Sequence, residues 1–292
     1  MYSTTAQICG ALTNIVMDPI MIYGLLGMPA MGVAGAAYAT VLGQFVSWII
    51  AFILQITKNK EIASGISYLK PNLSLIRGIY SVGVSAIIMQ ALMSFMTYGV
   101  NIIFGRVSAS AVSAYGIFYK IQQFVYFAGF GLRDSITPLI AYNYGRGSYK
   151  RVKEGIKWGL IDTTVVMVIG LLILQLFAHP LAKVFGLTSQ TEELCVLAMR
   201  IISTGFIFAG VNIASQGVFQ ALMSGNNSLV VSFLRLLVIP LPLAYIFTCL
   251  PKANFLMWWA FPIGEAVACI AAVFLLKRIY RKRVLTMKIW KK

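Results

Sequence analysis

Long apolar runs separated by short polar connectors dominate the chain. No charged residue occurs from Pro19 to Thr57, and Gly27-Met28-Pro29 interrupts that stretch. Two helices joined by a tight turn are therefore predicted, over about 3–26 and 32–56. The charge-free run 78–104 predicts a third helix. A fourth, over about 110–140, carries Lys120, Arg133 and Asp134, and Gly129, Gly131 and Pro138 are expected to break or bend it. Further helices are predicted at about 158–178, 196–222, 229–249 and 256–277. Each offers the ~20 mostly apolar residues that a bilayer span requires. The expected fold is an all-α integral membrane protein, a polytopic bundle of about eight transmembrane helices.

Composition agrees with the pattern. Of 292 residues, 59% are hydrophobic and only 11% charged, with a mean hydropathy of +0.83. A soluble domain carries roughly 25% charged residues, so a cytosolic enzyme, a disordered chain and a secreted disulfide scaffold are all excluded. The net charge of +16 is unevenly spread: most of the 24 Lys and Arg lie in 58–77, in 146–157 and from Lys277 onward. Basic residues collect in cytoplasmic loops. The connectors after the second, fourth and eighth helices are therefore expected in the cytoplasm, as are both chain ends, in a bacterial cell membrane. The charge thus speaks for a lipid bilayer as partner and against nucleic acid. The basic tail can also hold anionic headgroups, at ~1 kcal/mol per residue.

Little in the sequence suggests chemistry of bond making. Cys9, Cys195, Cys249 and Cys269 read as small buried hydrophobes, and with His179 as the one histidine no metal centre is expected. His179 itself reads as an interfacial or loop residue. No phosphate-binding loop and no nucleophile–base set is found, so neither an enzyme nor a cofactor is expected. The N-terminus resembles neither a signal nor a transit peptide. A shift of 221 residues aligns Asn14 with Arg235, Pro19 with Pro240, Gly43 with Gly264 and Gln44 with Glu265, a faint repeat of the first helical hairpin in the last.

Several stretches resemble one family. Asn14-Ile-Val-Met-Asp18-Pro19, then Gly32-Val-Ala-Gly35 and Gln44, are similar to the fifth and sixth helices of multidrug and toxic compound extrusion (MATE) transporters. Ala114-Tyr115-Gly116-Ile117 through Gly129-Phe-Gly131, then Pro138 to Tyr142-Asn143-Tyr144-Gly145, resemble the eighth helix and the loop leaving it; Arg235 and Pro240 resemble the eleventh. The resemblance implies two six-helix lobes around a central cavity, and export of cationic or amphipathic small molecules in exchange for H+ or Na+. On it, 1–57 are the last two helices of the N-lobe and 58–77 a basic connector. Residues 78–277 are then the six-helix C-lobe and 278–292 a basic tail, with about the first four helices missing. The acidic residues that sodium-coupled members carry in the seventh and tenth helices have no counterpart in 78–104 or 196–222. Nor does the chain contain the first-helix Asp of proton-coupled members, so no coupling carboxylate carries over by position.

Charged side chains inside spans are costly and rare, which makes each a candidate. Glu265, mid-segment in the last helix, is a candidate for ion coupling or, alternatively, a structural partner of Arg235 or Lys120. Asp134 is a second coupling candidate, or is simply neutralised by Arg133. Lys120 is expected to face the cavity. Asn212, Gln216 and Gln220 recur every four residues on one helix face; with Gln90, Gln123 and Arg235 they either bind substrate or bond between helices. Tyr115 and Tyr119, among Tyr98, Phe118, Phe124, Tyr126 and Phe127, form either an aromatic wall for a cation or ordinary packing. Asn14, Asp18, Pro19, Pro138, Asn143 and Gly145 read as structural motif residues, with Asp18 accepting from backbone freed by Pro19. The leading expectation is ion-driven efflux by alternating access. The alternatives are a flippase for lipid-linked sugars, which needs more intramembrane cations, or a non-transporting remnant or partner subunit.

Overall fold

The computed structural model describes residues 2–58 and 71–289. Most of the basic connector expected at 58–77, with Lys60 and Lys70, lies outside the described residues, as does the end of the tail. The chain divides into two units, Met1–Leu73 and Ser74–Lys292.

In the first unit, α1 (Tyr2–Tyr23) and α2 (Val33–Lys58) form an antiparallel hairpin around a 3-10 turn, Leu25–Gly27. Its seam is glycine. A Cβ on Gly35 would stand 2.3 Å from the Met21 carbonyl oxygen, and one on Gly43 2.7 Å from that of Gly10. Only hydrogen fits there, and the backbones approach as they do in membrane helix pairs. Pro19 lies inside α1 without ending it. The Asp18 carboxylate accepts from the Asn14 amide, 3.4 Å away. Its partner is thus a side chain one turn back, and not the freed backbone that the sequence suggested.

The second unit holds α3 (Leu73–Gly105), α4 (Ala109–Gly145), α5 (Tyr149–Lys183), α6 (Ser189–Ser203) and α7 (Phe206–Ala221), then α8 (Gly225–Phe233), a π turn (Leu234–Val238) and α9 (Pro240–Thr248). After them come α10 (Ala253–Leu256), a 3-10 turn, α11 (Ala260–Ile279), a second π turn (Tyr280–Val284) and α12 (Leu285–Ile289). The innermost helix is α7, buried along most of its length and packed on α4, α5, α8 and α11. Gly210 makes that fit possible, since a Cβ there would meet the Thr164 Cα at 2.8 Å. One core gathers Phe104, Tyr115, Phe206, Trp258 and Phe261; another gathers Ile140, Ile156, Phe219, Leu222 and Ile279.

Several expected boundaries move. Rather than breaking at its glycines or Pro138, α4 is a continuous helix to Gly145. Gly129 serves contact with Met167 and Ile213, and packing from α5 and α7 outweighs one missing N–H. It ends in a Schellman turn: Ser148 N–H reaches Asn143 O at 3.0 Å, Gly147 N–H reaches Tyr144 O at 3.0 Å, and Gly147 has φ +72°. The left-handed position is thus Gly147 and not the motif's Gly145. Asn143 also donates to Leu139 O at 2.8 Å.

The fifth helix starts at Tyr149, because buried Val152 and Ile156 keep the basic stretch helical. It kinks at Phe177 (φ −108°, ψ 18°), close to the expected end, and a short helical segment continues past Pro180, so His179 is an exposed residue of that segment and not a loop residue. The expected sixth helix is two, α6 and α7, bent by 55°. Cys249, expected buried, is exposed at the end of α9, where the chain turns.

Six described helices are long and apolar enough to cross a membrane, seven if α6 and α7 count as one span. Against the eight expected, α4 is long enough but too polar, for it carries Lys120, Gln122, Gln123, Arg133 and Asp134. That polarity is used inside the second unit.

Candidate functional site

The site begins with a defect in helix geometry. Pro240 has no N–H to return to the preceding turn, and the chain before it widens into the π turn Leu234–Val238, where Ile239 N–H bonds Leu234 O at 3.3 Å. Such turns are frequent at functional sites. This one carries Arg235, which is 6% exposed. On α11, Gly264 lets Pro240 approach closely (a Cβ would lie 3.2 Å from its Cδ), which brings the adjacent Glu265 to Arg235.

The two side chains form a buried ion pair. Arg235 Nη2 and Nε donate to Glu265 Oε1 at 2.6 and 3.0 Å. Tyr126 OH lies 3.4 Å from the same oxygen, and its ring lies 5.7 Å from the guanidinium. The Asn212 amide donates to Glu265 Oε2 at 2.7 Å and to its backbone carbonyl at 3.0 Å. Its own Oδ1 is buried with no hydrogen-bond partner among the described residues. One turn on, Gln216 donates to Ser232 Oγ at 3.1 Å. Both charges are out of water, so each depends on the other: removing one partner of such a pair costs ~3–5 kcal/mol.

The pair forms part of the wall of a cavity of about 300 Å³. Met89, Gln90, Met93 and Met96 face it from α3; Tyr119, Gln122, Gln123, Tyr126, Phe130 and Arg133 from α4; Gln216 and Gln220 from α7. A more open hollow of about 620 Å³ shares Gln90, Met93, Tyr119, Gln123 and Phe130, and extends to Tyr98, Asn101 and Phe127. Amides that donate and accept, flexible thioethers and aromatic rings make a surface suited to varied amphipathic molecules.

Among the sequence candidates, Gln90, Tyr119, Gln123, Gln216, Arg235 and Glu265 converge on this cavity, with Asn212 behind Glu265. Three do not. Tyr115 is a core residue, stacked on Phe261 at 5.5 Å and edge-on to Phe104. Lys120 is exposed and lines neither hollow, since its position on α4 is rotated off the stripe of Tyr119 and Gln123. Asp134 is also off the cavity: it is exposed and bonded to Arg133 at 2.8 Å. Of the two partners weighed for Glu265, Arg235 is the one it meets.

Of the aromatic group, Tyr98, Tyr119, Tyr126 and Phe127 line hollows, Tyr115 and Phe118 fill the core, and Phe124 is exposed. Sequence reasoning gave no site role to Gln122, Arg133, Ser232 or the α3 methionines, and it placed Tyr126 only within the aromatic group, not beside Glu265. The α4 stripe 119, 122, 123, 126, 130, 133, spaced by threes and fours, was the available signal.

Comparison with known proteins agrees with this architecture. The chain is 26% identical over 276 residues to the multidrug export protein MepA of Staphylococcus aureus (strain bovine RF122 / ET3-1), covering 94% of this chain and 59% of that protein. With MepA of Staphylococcus haemolyticus (strain JCSC1435) it shares 25% over 262 residues, 90% and 56% of the two chains. It thus spans less than two thirds of the length of these curated relatives. Among solved structures, an outward-facing multidrug resistance MATE family transporter of the MOP superfamily superposes with a TM-score of 0.84 at 23% identity, over 97% of this chain and 62% of that one. A MOP superfamily transporter from Pyrococcus furiosus superposes with a TM-score of 0.83 at 22% identity, over the same shares. These likenesses establish the fold. Residues 85–246 match the MatE family model, a stretch that includes Arg235 and stops short of Glu265. The chain belongs to the MatE family.

Proposed function

We propose that this chain forms the binding lobe, with part of a second lobe, of a cell-membrane exporter for cationic or amphipathic small molecules. Transport is by alternating access, driven by H+ or Na+. The observation that carries this reading is the Arg235–Glu265 pair, buried and held by Asn212 and Tyr126 in the wall of an amide- and methionine-rich cavity. An ion that takes up Glu265 must first part it from Arg235, and the uncompensated guanidinium then costs ~3–5 kcal/mol. A bound substrate, or a second conformation that gives Arg235 another acceptor, offsets that cost. Pair opening and cavity occupancy are then linked, as differential affinity for two states requires. A pyrophosphate-carrying lipid is a poorer fit, because Arg133 and Arg235 both already face carboxylates.

The test is efflux of a fluorescent cation such as ethidium from cells producing the chain. Glu265→Gln keeps the shape and removes the exchangeable charge; ion-driven efflux is expected to stop. Efflux at the unaltered rate would sink the coupling role of Glu265. Collapse of efflux by a protonophore, or instead by a sodium ionophore, identifies the ion.

A further inference from the structure

The outward face of α11 changes character within one turn. Ile263, Val267, Ile270 and Phe274 are exposed and recur at three- and four-residue spacing. The same row continues as Lys277, Arg278, Arg281 and Lys282, all exposed. These four, with Phe274, line a hollow of about 570 Å³ in which, among the described residues, no acidic side chain takes part.

The opposite face is fixed to the body. Ile279 and Val284 are buried, Tyr280 OH lies 3.2 Å from Tyr149 OH, and Arg283 donates to the Leu222 carbonyl. Between them runs the π turn Tyr280–Val284, with Leu285 N–H bonded to Tyr280 O. A π turn holds more residues than an α turn, so side chains drift more slowly around the axis. The basic residues stay in one column.

Four like charges around one hollow repel one another, and an anion with several oxygens relieves that repulsion. Basic side chains bordering an apolar helix face are the chemistry of the inner-leaflet headgroup layer. We propose that this hollow holds the phosphate of an anionic phospholipid whose acyl chains lie along Phe274 and Ile270. Free phosphate offers the same oxygens, but the apolar row leading into the hollow matches only the lipid.

Native mass spectrometry of the detergent-purified chain, in micelles doped with phosphatidylglycerol or phosphatidylcholine, reads the adducts directly. Phosphatidylglycerol adducts are expected to predominate. They should fall by roughly two to three orders of magnitude in K277Q/R278Q/R281Q/K282Q, while persisting in K150Q/R151Q/K153Q and in the charge-preserving K277R/K282R. Should the fourfold variant not fold, R281Q/K282Q alone is expected to lose a smaller but clear share. Undiminished phosphatidylglycerol binding in the folded variants overturns the proposal, as does an equal loss in the 150–153 control. Displacement of the lipid by inorganic phosphate at equal concentration would make the hollow a free-anion site and overturn the lipid assignment.

Discussion

Arg235 and Glu265 are far apart in sequence yet share a carboxylate oxygen at 2.6 Å. Truncating one member of a buried pair is worse than replacing both. Arg235→Ala is therefore expected to lower stability by ~3–5 kcal/mol, seen as earlier thermal unfolding of the detergent-purified protein. The double variant R235M/E265M should recover most of that loss; a double as unstable as the single would show that packing, and not charge, is what the site supplies. These two residues were legible in the sequence because a charge in an apolar span is conspicuous. Tyr115 and Tyr126 were not distinguishable. They lie on one helix whose outer and inner neighbours are both apolar, so hydropathy does not reveal which tyrosine fills the core and which meets the cavity. Lys120 is a like case: its charge was visible, but the rotation of α4 that carries it off the two hollows was not.

At the scale of elements, the chain places helices where apolar length predicts them, and departs where packing or backbone chemistry intervenes. The hairpin α1–α2 was readable from Gly27-Met28-Pro29 and from Gly35 and Gly43. The π turn before Pro240, the continuous α4 and the division between α6 and α7 were not, since a proline or glycine signals a local freedom whose outcome the neighbours decide. Two glycines make this measurable. Gly35→Ala drives a methyl against the Met21 carbonyl and should cost ~1–3 kcal/mol as overpacking does. Gly116→Ala, in α4 with nothing within 4 Å of the added carbon, should instead stabilise by ~0.5–1 kcal/mol through lower unfolded-state entropy. Thermal unfolding of both variants side by side checks the contrast; equal shifts would contradict the seam.

On the scale of the whole molecule, orientation is the property that the charge distribution predicts most directly. Basic residues concentrate in the first turns of α5 and from the end of α11 onward, so a fluorescent protein fused after Lys292 should fold and glow in the cytoplasm. A periplasmic phosphatase at the same position should stay inactive, and the reverse pattern would refute the assigned topology. The division of the sixth predicted span bears on the molecule differently. At Ser203 to Gly205 the backbone turns by 55°, yet the carbonyls released there are met locally. Gln175 donates to Arg200 O at 2.7 Å and to Ser203 Oγ at 3.0 Å, and Thr204 Oγ1 donates to Ile201 O at 2.7 Å. Backbone interrupted within a bilayer has no water to fall back on; here it carries its own solvent in the form of three side chains. Such a joint frees the direction of α7 from that of α6. The amides of Asn212, Gln216 and Gln220 therefore take their alignment from α4, α5, α8 and α11, the helices packed on α7.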